Sequence, residues 1–265
     1  MVINGGPSDN NAMGGGGDDL VIDPTGNDWL DGGGGNDFIS AGEGNDRAFG
    51  GLGNDSVFGE EGNDYLYGDD GPNRPSPAGQ DNDKLYGGPG DDVLFAGNGG
   101  DLLFGGEGSD TFVFQSHNPT PGAVVEGASE TYAAIVDFDP GQDTLAFDAK
   151  GYYADGLGAN FVSHTSSRPG HPVDTFYAGA ASGANGEHVV VITDRSFTDG
   201  GGAANAISGE HAGDIIAYFN DTTRTVHLGF VTAENKVDEF GQLIGPHSPA
   251  DLGGLHLSAE DFAFV

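Results

Sequence analysis

Aspartate recurs every nine residues at Asp19, Asp28, Asp37, Asp46, Asp55 and Asp64, and again at Asp83, Asp92, Asp101 and Asp110. Carboxylates at a fixed step suit the binding of hard cations, which take rows of oxygen ligands. The glycines between them supply positive φ and let backbones approach closely. They also leave carbonyls that no helix or sheet has used, and the candidates for that role are Gly15, Gly17, Gly33, Gly35, Gly42, Gly44, Gly51, Gly53, Gly88 and Gly90.

The elements that must hold these groups follow from the same period. Gly32-Gly33-Gly34-Gly35-Asn36-Asp37-Phe38-Ile39-Ser40 is the clearest unit, and an apolar residue stands two places after each Asp: Val21, Leu30, Ile39, Ala48, Val57, Leu66, Leu85, Leu94, Leu103 and Phe112. Each unit therefore predicts a Gly-rich turn and a short strand with one inward side chain. Two units make a coil of about 18 residues, and coils stack at the parallel-strand spacing of roughly 4.8 Å. Turns nine apart fall on opposite edges and turns 18 apart on the same edge. Asp19, Asp37 and Asp55 then form one column, and Asp28, Asp46 and Asp64 another.

Such columns need a counter-charge. Two carboxylates about 5 Å apart repel by roughly 3 kcal/mol at an effective dielectric near 20. Ca²⁺ fits, since it accepts six to eight carboxylate and carbonyl oxygens, whereas Mg²⁺ prefers a tight octahedron and keeps its water. One inward side chain per strand buries too little surface to offset backbone ordering, so several Ca²⁺ ions are expected to contribute to folding itself. Extracellular calcium modules bind in the range of about 10⁻⁴ to 10⁻³ M, and such sites fill outside a cell rather than in a cytosol.

The phase extends backwards to Gly5-Gly6-Pro7-Ser8-Asp9-Asn10, a degenerate unit with Asn10 in the Asp slot, and to a strand slot at Val2-Ile3-Asn4. It breaks once, between Asp64 and Asp83. The Pro-rich stretch at about 71–80 reads as a ten-residue loop inserted in one turn, because Pro cannot donate to a sheet ladder. The rival reading is a degenerate unit around Asn73 plus one extra residue.

Composition is consistent with this. The 265 residues carry 50 Gly, no Cys and a formal net charge of −34. That charge excludes nucleic acid as a default partner and argues against anionic membranes. The N-terminus has no basic and apolar leader of the Sec type, and no run is long enough to span a bilayer. Two domains are expected: residues 1–114, the array, and residues 115–265, an ordinary β-rich segment.

The array resembles the RTX, or haemolysin-type, calcium-binding family. That resemblance implies an all-β fold, with a right-handed parallel β-roll holding Ca²⁺ between successive turns. It also implies export by a type I secretion system from a Gram-negative bacterium, placing the protein outside the cell or on its surface. Gly105 to Phe114 looks like the last repeat of such a roll, and Ile135 to Phe147 like the strand–turn–strand that follows it. The final residues, Leu257 to Val265, resemble an uncleaved C-terminal secretion signal; they read equally as a last buried strand.

In residues 115–265, Glu187 to Thr193 is a buried-strand run. Asp214–Phe219 and Arg224–Phe230 flank a hairpin turn. The Gly-rich stretches at 179–186 and 199–204 read as loops. A β-sandwich-like cap is expected. Asp137, Asp139 and Asp143 form an Asp-x-Asp-x-Gly-x-Asp cluster, either another calcium loop or a turn at Pro140-Gly141 that ends strands. No zincin motif, nucleophile elbow or phosphate loop occurs, and the eight His lack metal-ligand spacing. His171 and Asp174 are the one base–carboxylate pair close in sequence. The leading expectation is a non-enzymatic secreted calcium-binding protein. The alternatives are an extracellular enzyme on polysaccharide or peptide with a site in 115–265, and a calcium-dependent surface-layer, adhesin or host-interaction protein. A surface polysaccharide or a second copy of the chain stays open as a partner.

Overall fold

The computed structural model describes residues 1–69, 81–97, 99–114, 133–147, 171–173 and 175–264. These divide into two compact units. The first holds the described residues up to Phe114 together with Ala133–Phe138; the second begins at Asp139.

In the first unit the nine-residue period becomes alternating strands. On one side stand β1 (Val2–Asn4), β3 (Leu20–Ile22), β5 (Phe38–Glu43), β7 (Ser56–Glu61), β9 (Lys84–Pro89), β11 (Leu102–Glu107) and β13 (Ala133–Ile135). On the other stand β2 (Asn11–Gly16), β4 (Trp29–Gly34), β6 (Arg47–Leu52), β8 (Tyr65–Tyr67), β10 (Val93–Ala96) and β12 (Thr111–Phe114). Each set is one parallel sheet in that order. Phe38 pairs with Ser56, 18 residues on, and Trp29 with Arg47. This is a parallel β-roll.

Across the register break the step is 28 rather than 18. Ser56 pairs with Lys84, and Tyr65 with Val93, so ten extra residues leave the stacking undisturbed. A repeat unit around Asn73 would instead have put Lys84 opposite Tyr65. Residues 71–80 themselves lie outside the described residues. At the far end β13 adds to β11, with Leu103 opposite Ile135. Ala133–Phe138 thus belongs to the roll unit.

The core is a single file of side chains. All ten of the apolar residues two places after each Asp are fully buried, and Ile135 continues the file. On the other face of the strands rings stack in two columns, the first of them buried. Phe49, Tyr67 and Phe95 have centroids 4.7 and 4.1 Å apart. Phe58, Tyr86 and Phe104 are 4.5 and 4.6 Å apart. Stacked aromatic pairs on adjacent strands add to the coil–coil contact.

The turns explain the glycines. Gly33 and Gly35 have φ of +98° and +123°, and a Cβ on either would strike the backbone of the coil before it. Glu60 occupies the same slot with φ +76°. A non-glycine residue there is strained.

The second unit is built on a sheet in the order β16 (Phe176–Gly179), β17 (Val189–Phe197), β18 (Ile215–Asn220), β19 (Thr225–Ala233) and β20 (Lys236–Leu243). The first three are mutually parallel; β18, β19 and β20 are antiparallel, and β18–β19 is the hairpin read from sequence. Two short helices pack on it. Helix α1 (Gly200–Ala204) lies against Val190, Ile192, Ile216 and Tyr218. Helix α2 (Pro249–Gly254) lies beside Val191 and Thr193, whose side chains point the other way in the period-two alternation of β17.

Helix α1 corrects the loop expected at 199–204. Its sequence, Gly-Gly-Gly-Ala-Ala, has poor helix propensity, but Asp199 caps it by accepting from the Gly202 amide at 2.7 Å. A Cβ on Gly200 would hit Val237, so packing selects the small residue. A further ladder joins β14 (Thr144–Phe147) in parallel to β21 (Phe262–Phe264), with β15 (His171–Pro172) antiparallel to β21.

Candidate metal centres

The strands bring the ten array aspartates into two stacked columns, and all ten are buried. In each column the amide of one Asp donates to Oδ1 of the equivalent Asp in the next coil. The series runs Asp19 to Asp37, Asp37 to Asp55, Asp55 to Asp83 and Asp83 to Asp101 on one edge, at 2.6–3.0 Å. Asp28 to Asp46, Asp46 to Asp64, Asp64 to Asp92 and Asp92 to Asp110 follow on the other, at 2.7–2.9 Å.

One oxygen of each carboxylate is thus fixed by the fold. The second is not. Oδ2 of Asp19, Asp28, Asp37, Asp46, Asp55, Asp64, Asp83, Asp92 and Asp101 is buried without a hydrogen-bond partner. A buried anionic oxygen left this way costs several kcal/mol, on the order of 1–3 per group. Repeated in every coil, the unpartnered Oδ2 is a property of the pattern and not a local defect.

What lies beside Oδ2 defines the cradle. A Cβ built on Gly32 would collide with Asp37 Oδ2 and with the Gly50 carbonyl of the next coil. The same pairing repeats at Gly14 (Asp19, Gly32), Gly50 (Asp55, Gly68), Gly59 (Asp64, Gly87) and Gly87 (Asp92, Gly105). Carboxylate and carbonyl oxygens converge there in a space kept open by glycine. This donor set is hard oxygen only, and it fits Ca²⁺. Among the described residues no three His, Asp or Glu side chains cluster. A cation between coils would therefore draw on backbone carbonyls as well as Asp.

The glycines read from sequence, such as Gly33, Gly51 and Gly88, lie one residue beyond those whose carbonyls stand next to Oδ2: Gly32, Gly50 and Gly87. Carbonyls of Gly15, Gly33, Gly35, Gly44, Gly88 and Gly90 instead face the equivalent glycine of the next coil. Sequence reasoning also passed over the residue before each Asp. Asn27, Asn36, Asn45, Asn54, Asn63 and Asn82 form a ladder in which each side-chain oxygen accepts an amide from the following coil, at 2.7–3.0 Å. The recurrent Asn-Asp dipeptide was the available signal.

The columns gather like charges in a buried setting. Burial first, then neighbouring carboxylates, raises Asp46 to about 6, Asp55, Asp64, Asp92 and Asp101 to about 7, and Asp83 to about 9. A backbone amide works against the rise in each.

Asp137, Asp139 and Asp143 are engaged differently. The Asp137 carboxylate accepts from Gly105 and Gly106 amides at 2.9 and 3.2 Å. Within the second unit, Asp143 Oδ2 accepts the Asp139 amide at 2.8 Å, across the turn at Pro140-Gly141. This bond closes the turn, and Gly141 donates to Asp261 at 2.9 Å.

The second unit holds a buried polar network. His227 Nδ1 lies 2.7 Å from Glu239 Oε2, and Nε2 lies 2.7 Å from Thr223 Oγ1. Tyr218 and the Gly200 amide also donate to Glu239. Burial opposes the Glu239 charge, but these donors outweigh it and hold its carboxyl below the usual range. The turn amides of Thr222 and Thr223 donate to Asn220, and the Thr223 hydroxyl also lies 2.9 Å from that of Thr225. A shallow cleft elsewhere in the unit is lined by Ala178, Val191, Thr193, Leu252, Gly253, His256 and Leu257, with no carboxylate. Of the pair His171 and Asp174, the latter lies outside the described residues.

Fold and site together define a calcium-binding parallel β-roll. The model of the RTX calcium-binding nonapeptide repeat matches four times, at residues 4–39, 13–48, 40–74 and 77–112. These residues are an RTX array, and the chain's resemblance to that family is thereby shown. Nodulation protein O of Rhizobium leguminosarum bv. viciae is 39% identical over 165 residues, covering 59% of this chain and 56% of that protein. The chain therefore spans a little over half the length of this curated relative.

Proposed function

We propose that this is a secreted calcium-binding protein whose roll folds when Ca²⁺ fills its turns outside the cell. Its export runs through a type I system that reads the C-terminal residues, and the protein has no catalytic activity of its own. The observation that carries the reading is the repeated buried Asp Oδ2 without a partner, facing a carbonyl of the next coil. The C-terminal segment is compatible with a signal that also packs. Ser258 and Asp261 form a capping box, and Phe262 is buried in β21. Among the described residues no helix is long and apolar enough to cross a membrane.

Equilibrium dialysis of the full chain against calcium tests this reading. Several ions per chain, with a midpoint near 10⁻⁴ to 10⁻³ M, are expected for an extracellular module. A chain that takes up none at millimolar calcium removes it.

A second reading, a part in nodulation, is favoured by the similarity to nodulation protein O. Expression of this chain in a nodulating strain that lacks its own nodulation protein O should restore the lost phenotype. A strain left as deficient as before removes that reading alone.

A further inference from the structure

Four places after each turn residue the array normally carries glycine: Gly14 after Asn10, Gly32 after Asp28, Gly50 after Asp46 and Gly59 after Asp55. Over each of these glycines lies Oδ2 of the Asp five residues further on. The first coil breaks this rule twice. Gly5 has Asn10, not Asp, five residues on, and position 23, one coil later in the same column, is Asp where glycine is usual.

The two exceptions meet in space. Val2 pairs with Leu20 and Ile3 with Val21, and the Gly5 amide donates to the Ile22 carbonyl at 2.8 Å, so Gly5 faces Asp23. A Cβ on Gly5 would collide with both oxygens of the Asp23 carboxylate. The carboxylate of Asp23 thus fills the position over Gly5 that Oδ2 of a turn Asp fills over the other glycines.

Asp23 is 1% exposed, and neither of its oxygens has a hydrogen-bond partner. Asp28, in the next turn, is the nearest charge acting on it and also has an unpartnered Oδ2. Asp137 is the control supplied by the same fold. It stands in the equivalent place opposite Gly105, yet its carboxylate is occupied by two amides. At Asp23 the groups that favour its charge are the Asn10 side chain and the Thr25 amide, and neither reaches it with hydrogen-bond geometry.

We propose that Asp23 is a divalent-cation ligand that replaces, from the neighbouring coil, the carboxylate missing at Asn10. With Asp28 Oδ2 it completes a calcium site in the first coil. The proposal rests on the calcium reading of the array, and adds a site whose ligands depart from the repeat.

The test counts calcium bound to the full chain by equilibrium dialysis and native mass spectrometry. Asp23→Gly restores the usual residue of the slot and should fold, as judged by the calcium response in circular dichroism. It should bind one ion fewer than the parent. Asn10→Asp combined with Asp23→Gly should return the parent count, because the carboxylate then comes from its usual place. An Asp23→Gly chain with the full count overturns the proposal, and so does a double variant that stays one ion short. A parent chain that binds no calcium would instead overturn the reading of the whole array.

Discussion

With chelator at neutral pH the roll is expected to unfold, and with millimolar calcium to refold. The only Trp in the chain, Trp29, reports on this directly, because its ring packs at a tilt against Phe49 in the roll, with centroids 4.8 Å apart. Its fluorescence should shift to that of a solvated indole on chelation and return on adding calcium. The metal-free chain should also respond to acid. Asp46, Asp55, Asp64, Asp83, Asp92 and Asp101 all have raised values, from about 6 to about 9, against about 4 in an unfolded chain. Between those limits the folded form binds more protons than the unfolded one, so its stability falls as pH rises. The metal-free roll should therefore be most stable near pH 4 and lost as pH passes through about 6 to 7. Calcium reverses the trend, since it competes with protons for the same oxygens and binds more tightly at pH 8 than at pH 6. A Trp29 signal that ignores both chelator and pH would refute the account.

Replacing one central carboxylate should split these effects apart. Asp64→Asn keeps an oxygen to accept the Asp46 amide, a bond of 2.8 Å in the parent, but removes the charge. In chelator the variant should keep its roll to a higher pH than the parent, because the cost of ionising a buried group with a value near 7 is gone. In calcium it should be worse: one coil loses a ligand, and the calcium midpoint should rise about tenfold, equivalent to about 1.4 kcal/mol. Asp19→Asn, in the outermost described coils, should show a smaller change, since stability in a stacked array sums over neighbouring coils and an end unit has fewer. Equal shifts at both positions, or a variant weakened with and without metal alike, would contradict the assignment of Oδ2 to a cation.

Much of the roll was legible because its determinants are local and periodic. The spacing of Asp37 and Asp55 sets the column, Ile39 and Val57 set the inward face, and a Pro-rich insertion is tolerated wherever it leaves the 18-residue stacking intact. The ladder of Asn36 and Asn54 was legible only as composition, because an Asn next to Asp reads first as a turn residue. The carbonyl of Gly50 beside Asp37 depends on which peptide group faces the neighbouring coil, and residue type does not encode that. In the second unit, His227 and Glu239 are 12 residues apart and meet only through the register of β19 and β20. The helical turn at Gly200 arose against propensity, through the Asp199 cap and the Val237 contact.

The two side-chain ladders run in opposite senses. Asp oxygens accept from the preceding coil, as Asp55 does from Asp37, while Asn oxygens accept from the following one, as Asn36 does from Asn54. Every coil is thus a donor and an acceptor toward both neighbours through equivalent atoms. An array made this way can be lengthened or shortened by duplication or deletion of paired units, with each seam identical to the ones it replaces. Loss of a single unit is different in kind. Every later strand would change sheets, and the ring column of Phe58 would run on into Phe95 instead of Tyr86. The length of such a roll is therefore quantised in pairs, which gives its evolution a step size of one full coil.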